Sequence, residues 1–215
     1  MISRSANPVD FDLYLITDQG ATSGRNLLTV VEEALSGGVR GVQLREKSLS
    51  GRECLELARE LRRLTTRYGA RLIINDRADI ALAVGADGMH LPEAGLPVTV
   101  ARELLGSTRL IGASCHSVAS AGAAEQEGVD FITFGPVWST PSKALYGAPV
   151  GVGPLLQVTR SLTIPVFALG GVTRERLPEL LLSGVRHVAL ISAILTAPAP
   201  RREAQAFTAL LAGGA

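Results

Sequence analysis

One short signature occurs four times in this chain: a glycine, two further residues, then an apolar run. Gly38-Val39-Arg40 leads into Gly41-Val42-Gln43-Leu44, Gly85-Ala86-Asp87 into Gly88-Met89-His90-Leu91, Gly128-Val129-Asp130 into Phe131-Ile132-Thr133-Phe134, and Gly184-Val185-Arg186 into His187-Val188-Ala189-Leu190. Each glycine closes an amphipathic stretch, where a helix C-cap needs positive φ, and each run has strand character. Between these helix-to-strand junctions lie further apolar runs, Leu13 to Thr17, Arg71 to Ile74, Leu110 to Ser114 and Ile164 to Leu169, for eight strands in all. Helical spacing fills the gaps, as in Leu27 to Leu35, Cys54 to Leu64 and Ala78 to Val84. Eight βα units with right-handed crossovers predict an α/β fold, a single (β/α)₈ TIM barrel. An open doubly wound sheet is the runner-up, disfavoured by the even repeat and by the lack of a GxGxxG fingerprint. One domain is expected over residues 1–215, with a core about 12–196 and a C-terminal helix about 200–213.

Composition narrows the function classes. Hydrophobic residues make up 47% against 19% charged and 4% aromatic, which suits buried strands and covering helices and excludes disorder. No apolar run approaches the roughly 20 residues of a membrane span. The net charge of +1 offers no excess of positive charge for a nucleic-acid backbone, so an anion has to be captured locally. Cys54 and Cys115, the only cysteines, form neither a disulfide framework nor a metal spacing. The first residues do not read as a signal peptide, and a cytoplasmic location is expected. The expected partners are small-molecule phosphates and diphosphates, with no nucleic acid and no membrane; a homo-oligomer is compatible with the sequence.

In such a barrel the site forms at the C-terminal strand ends, and polar residues collect there, while the strand beginnings read as carrying no comparable set. Strand alternation through Gln43, Arg45 and Lys47 points two cations and an amide to one side, suited to a polyphosphate; the plain alternative is an exposed strand end paired with Glu46. Gly170-Gly171 and Ser192, which opens a short helix, put backbone N–H groups where barrels hold a phosphate, though a tight turn and an N-cap explain the same residues. Asp76 follows Asn75 and either caps the helix through Ala81 or ligates Mg²⁺. The segment Val137 to Val150 reads as a lid with Thr140, Ser142 and Lys143 as phosphate partners, or as a solvated loop, and Trp138 packs beneath it or lines the pocket. His116 serves as an acid–base group or only bonds a loop, His90 has no evident partner, and His187 lies on the structural face. Arg59, Arg62, Arg63 and Arg67 read as the solvated face of a helix.

The segments VQLREK, LIINDRADIALAVGADGMHL, IGASCHS, FGPVWSTPSK, ALGGV and VALISAI, in this order and spacing, resemble the thiamine-phosphate synthase/TenI family over nearly the whole chain. The resemblance implies a barrel that joins an aminopyrimidine diphosphate to a thiazole phosphate, releasing pyrophosphate with Mg²⁺. It implies Arg45, Lys47, Ser114, His116 and Lys143 as the catalytic set. Gln43, Asn75, Thr140, Ser142, Gly170, Gly171, Ile191 and Ser192 become substrate contacts, and Asp76 the metal ligand, with Glu93 a candidate to stand in for a second ligand. In the family pattern HxGQxD the final Asp is a second metal ligand, whereas here Gly95 holds that place after His90-Leu91-Pro92-Glu93-Ala94. The His-Leu-Pro element and His116 also resemble the TenI branch, which isomerises thiazole carboxylate phosphate and requires no metal. A third reading is a non-catalytic barrel that binds the thiazole phosphate.

Overall fold

The computed structural model describes residues 9–139 and 148–213. Eight strands, β1 (Leu13–Ile16), β2 (Gly41–Leu44), β3 (Arg71–Asn75), β4 (Gly88–Leu91), β5 (Leu110–Cys115), β6 (Phe131–Phe134), β7 (Val166–Leu169) and β8 (His187–Leu190), form a closed barrel in sequence order. All pairs are parallel, and β8 returns to β1 with Leu13 opposite Val188. The helices between them are α1 (Leu27–Ser36), α2 (Gly51–Arg67), α3 (Ala78–Ala83), α4 (Val98–Leu105), α5 (Val118–Glu127), α6 (Val152–Ser161), α7 (Leu177–Leu182) and the short α8 (Ser192–Leu195). A final helix, α9 (Pro200–Gly213), lies against α1, where a Cβ at Gly37 would come within 2.4 Å of the Arg201 carbonyl oxygen.

The four signature glycines do what the sequence asks of them. Gly38, Gly85, Gly128 and Gly184 have φ of 106°, 60°, 90° and 92°, reversing the chain from helix into strand. Most element ends shift from the apolar pattern by a residue or so, and the two starts that shift further have local causes. Helix α2 starts at Gly51 rather than Cys54 because a capping box precedes it, Ser50 N–H donating to Glu53 Oε2 at 2.8 Å and Glu53 N–H to Ser50 Oγ at 3.3 Å. Strand β7 starts at Val166 rather than Ile164 because Pro165 has no N–H to enter the ladder.

The few aromatic residues are concentrated. Of five phenylalanines, Phe11, Phe131 and Phe167 fill the barrel interior with Tyr14, ring centroids 5.3–5.9 Å apart. The N-terminal strand ends correct one expectation, since they do hold a charged set: Asp87, Asp130, Arg40, Arg71 and His187. Its carboxylates are taken up in ion pairs, Asp130 with Arg102 at 2.7 Å and Asp87 with Arg62 at 2.6 Å. Arg62 therefore bridges two units of the barrel instead of sitting on a solvated face, and Arg67 and Arg63 pair with Glu32 and Glu60.

Candidate active site

At the C-terminal rim, strand β2 ends at Leu44, so the alternation expected to run through Arg45 and Lys47 stops short of them. Gln43 lies inside the barrel and donates from Nε2 to the Tyr14 hydroxyl at 3.0 Å. Arg45 is half-buried and Lys47 exposed. The segment is held at two points: Arg45 donates its backbone N–H to Thr17 Oγ1 at 3.0 Å, and the Glu46 carboxylate accepts the Gln19 N–H at 3.0 Å. Burial raises the Glu46 pKa. Glu46 is therefore engaged with the Gln19 backbone. Thr17 and Gln19 help position the cationic segment and were not singled out in the sequence, although Thr17 closes the first apolar run; the sequence offers Glu46 as a partner of the cations, whereas the structure engages it with the Gln19 N–H.

Next around the rim, Asp76 follows Asn75 with φ of 60°, a left-handed conformation uncommon outside glycine and tolerated best by Asn and Asp. Its N–H donates to the His90 carbonyl at 3.0 Å, which ties it to the end of β4. The N-cap of α3 is Arg77, with no side-chain cap, so Asp76 does not cap that helix. Glu93 follows β4 in the turn Pro92–Gly95, closed by Gly95 N–H on the Pro92 carbonyl at 2.9 Å. A Cβ at Gly95 would lie 2.8 Å from Pro92 Cδ and 3.0 Å from Pro92 O, so a carboxylate at that place needs a different turn. Among the described residues no group of three or more His, Cys, Asp and Glu side chains is arranged to hold a metal ion. Asp76 offers a single carboxylate at the rim, and a magnesium ion held on a diphosphate takes one or two, completing its shell with water and phosphate oxygen.

His90 gains the partners that the sequence left unnamed. It is buried in the interior with Nε2 3.0 Å from Ser114 Oγ and 3.4 Å from Thr133 Oγ1, while Nδ1 has no hydrogen bond. Burial, with the Arg45 charge above it, pushes its pKa down to about 3, so the ring is neutral. A buried N–H without an acceptor is rarer than a bare lone pair, which assigns the hydrogen to Nε2. Nε2–H then donates to Ser114 Oγ, leaving the Ser114 hydroxyl proton for a partner at the mouth. His116 is half-buried, and its Nδ1 bonds the Gly135 carbonyl at the end of β6.

Across the mouth, a cavity of ≈ 180 Å³ is lined by Leu169 to Thr173, Ala189 to Ala193 and Thr196, and so includes Gly170, Gly171, Ile191 and Ser192. Gly170 and Gly171 have φ of 95° and 71°. Ser192 is the first residue of α8 and not its N-cap, which is Ile191 without a side-chain bond. Thr140, Ser142 and Lys143 lie outside the described residues. The ends of their segment are pinned, Val137 N–H on Leu169 O at 2.8 Å, Trp138 N–H on Gly170 O at 3.0 Å and Val150 N–H on Pro136 O at 2.8 Å. One mouth thus brings together Arg45, Asn75, Asp76, Ser114 and the cup of Gly170, Gly171 and Ser192, each on or just past a strand end.

Residues 13–194 match the family described as thiamine monophosphate synthase. The chain is 63% identical over 203 residues to a Geobacter sulfurreducens protein provisionally named a thiamine-phosphate synthase, covering 94% of this chain and 95% of that one. It is 42% identical over 187 residues to the thiamine-phosphate synthase of Clostridium novyi, covering 87% of this chain and 92% of the relative. The solved structure of a thiamine phosphate pyrophosphorylase from Pyrococcus furiosus superposes with a TM-score of 0.86 at 34% identity, over 97% of this chain and 98% of that one.

Proposed function

Since this chain belongs to the thiamine monophosphate synthase family, we propose that it joins an aminopyrimidine methyl diphosphate to a thiazole phosphate and releases pyrophosphate. The observation that carries the reading is a pair of anion-receptive places on one mouth, Arg45 and Lys47 past β2 and the glycine-lined cup past β7 and β8. Two phosphorylated substrates need two such places, oriented so that the reacting carbon and nitrogen meet between them.

Arg45 and Lys47 bind the diphosphate, the guanidinium forking two oxygens and the ammonium acting as a point charge. Asn75 supplies an amide to the pyrimidine end, and the Ser114 hydroxyl, fixed by His90, donates to the same ring. Asp76 would hold a magnesium ion bound to the diphosphate, and such an ion would supply positive charge against the departing pyrophosphate. As the methylene C–O bond breaks, its electron pair leaves with pyrophosphate, where Arg45 and Lys47 meet the new charge. The thiazole nitrogen then uses its lone pair to form the C–N bond, held in place by its phosphate in the cup. Gln43, Thr140, Ser142, Lys143, Gly170, Gly171, Ile191 and Ser192 complete the proposed contacts. No covalent enzyme intermediate is required.

A metal-free isomerisation of thiazole carboxylate phosphate is the second reading, favoured by the turn that excludes a carboxylate at Gly95. Incubation of the purified protein with the pyrimidine diphosphate, the thiazole phosphate and Mg²⁺, followed by chromatography, separates the two. Formation of the joined product with stoichiometric pyrophosphate is expected. Isomerised thiazole carboxylate phosphate in EDTA, with no joined product at saturating Mg²⁺, would replace the reading. Among the described residues no helix is long and apolar enough to cross a membrane. A cytoplasmic location is part of this proposal and is tested by fractionation, and light scattering tests for the homo-oligomer with which the sequence is compatible.

A further inference from the structure

The phosphate cup is held from behind by a residue that does not line it. Gly170 and Gly171 have no side chains to anchor their loop, yet both carbonyls are taken. The Gly170 carbonyl accepts the Trp138 N–H at 3.0 Å, and the Gly171 carbonyl accepts Arg176 Nη1 at 2.7 Å. The two donors also meet, the Arg176 guanidinium carbon lying 4.9 Å from the centroid of the Trp138 ring. The backbones are close enough that a Cβ at Gly171 would come within 2.6 Å of Trp138 Cβ and 3.1 Å of Arg176 Nη1.

In a trans peptide the C=O and the following N–H point in opposite directions. Tying the Gly170 and Gly171 carbonyls back therefore turns the N–H groups of Gly171 and Val172 the other way, away from Trp138 and Arg176. Neither N–H is hydrogen-bonded among the described residues, and both residues line the cavity. Two unengaged donors on one wall of a cavity form a receptor for phosphate oxygen.

We propose that Arg176 is a positioning residue: stacked on Trp138 and bonded to Gly171, it aims the N–H groups of Gly171 and Val172 into the cup, so that phosphate binding there is transmitted to Trp138. The proposal rests on the reading of this cup as the thiazole phosphate site. It is specific about energetics, because a cation on an aromatic face and one hydrogen bond are together worth about tenfold in binding. It is also specific about place, since the diphosphate side of the mouth is formed by other strands.

Trp138 is the only tryptophan, so emission on excitation near its absorption edge reads this position directly. Titration of the intact protein with inorganic phosphate, and separately with thiazole phosphate, is expected to give a saturable change in that emission. Arg176→Met is expected to remove the response and to raise KM for thiazole phosphate about tenfold, with KM for the pyrimidine diphosphate and kcat within about twofold. Arg176→Lys, which keeps a cation without the planar fork, is expected to restore part of both. Calorimetric phosphate binding without an emission change in the unmodified protein would overturn the proposal, and so would an equal rise of both KM values in Arg176→Met. If the unmodified protein joins no substrates, yet phosphate changes Trp138 emission and Arg176→Met abolishes the change, the synthase reading fails and the positioning role stands.

Discussion

The two rims of the barrel use the same residue types in opposite ways. At the N-terminal rim, Asp87 accepts the Leu72 N–H at 2.7 Å and pairs with Arg62, while Asp130 accepts the Ile111 N–H at 2.7 Å and pairs with Arg102. Both aspartates end a signature triplet, the second and the third; Arg40 ends the first and donates to the Leu35 and Val39 carbonyls. There the side chain is the fastener. At the C-terminal rim the backbone is the fastener, since Arg45 and Asp76 are held through their N–H groups on Thr17 and His90, and Gly170 and Gly171 through their carbonyls. Fixing the chain by its backbone leaves side-chain charge and bare N–H groups for a ligand, which is what separates a site from a scaffold built of similar residues.

The widest test of that contrast exchanges a carboxylate at each rim. Asp130 is 5% exposed, and Asp130→Ala removes the acceptor of the buried Ile111 N–H and of Arg102 Nη2. Unfolding free energy is expected to fall by about 3 kcal/mol in urea titration, with kcat of the folded protein unchanged. At the other rim, Asp76→Asn removes the charge while keeping a residue that tolerates φ of 60°. Here the joining reaction at fixed Mg²⁺ is expected to fall by about a hundredfold with the urea midpoint unmoved. A large loss of stability in Asp76→Asn, or of turnover in folded Asp130→Ala, would erase the distinction between the rims.

Between the rims lies His90, and its titration bears on whether the interior belongs to scaffold or site. Burial holds its folded pKa down at about 3, below the ordinary 6.5 of the unfolded chain. The unfolded state therefore binds the proton more readily. The stability from the neutral ring is fully present above about pH 6.5 and is lost as pH falls from there toward 3, at roughly 1.4 kcal/mol per pH unit from this group. His187, also lowered by burial, adds a slope of the same sign. Urea midpoints measured across that range are expected to flatten in part in His90→Gln; an undiminished slope would show that other groups cause it.

How much of this was legible in the sequence follows the same division. The triplet glycines demand positive φ whatever surrounds them, so the strand order could be read from four positions. The Ser50–Glu53 capping box was equally local, and it sets the start of α2 where apolar spacing alone misplaces it. Pairings between distant segments were not legible: Arg62 to Asp87, Gln43 to Tyr14 and His90 to Ser114 join residues 24–29 positions apart, which only barrel closure brings into contact. Nor does a sequence show a left-handed aspartate, so Asp76 read equally well as a helix cap. The crowding at Gly95 was hidden for the same reason, because it arises from the path of the Pro92 turn.

His116 gives the smallest expected effect and the sharpest choice between a fastener and a chemical group. Its Nδ1 bonds the Gly135 carbonyl, so one ring nitrogen already ties β5 to the end of β6 in the manner of the scaffold. The amide nitrogen of asparagine sits near the place of Nδ1 and can make the same bond, but asparagine offers nothing in place of Nε2. His116→Asn thus keeps the tether and deletes the only atom able to carry a proton. If the joining reaction is the function, its chemistry is bond exchange at carbon and nitrogen with no proton to relay, and kcat/KM is expected to change by less than about threefold. If Nε2 works as an acid–base group on a thiazole, the loss is expected to lie near the 10²–10⁴-fold that a positioned general acid or base contributes. Steady-state kinetics of the two reactions on this one variant, with Mg²⁺ and in EDTA, decide which rim His116 resembles; a hundredfold loss confined to isomerisation would move it from scaffold to site and take the synthase reading with it.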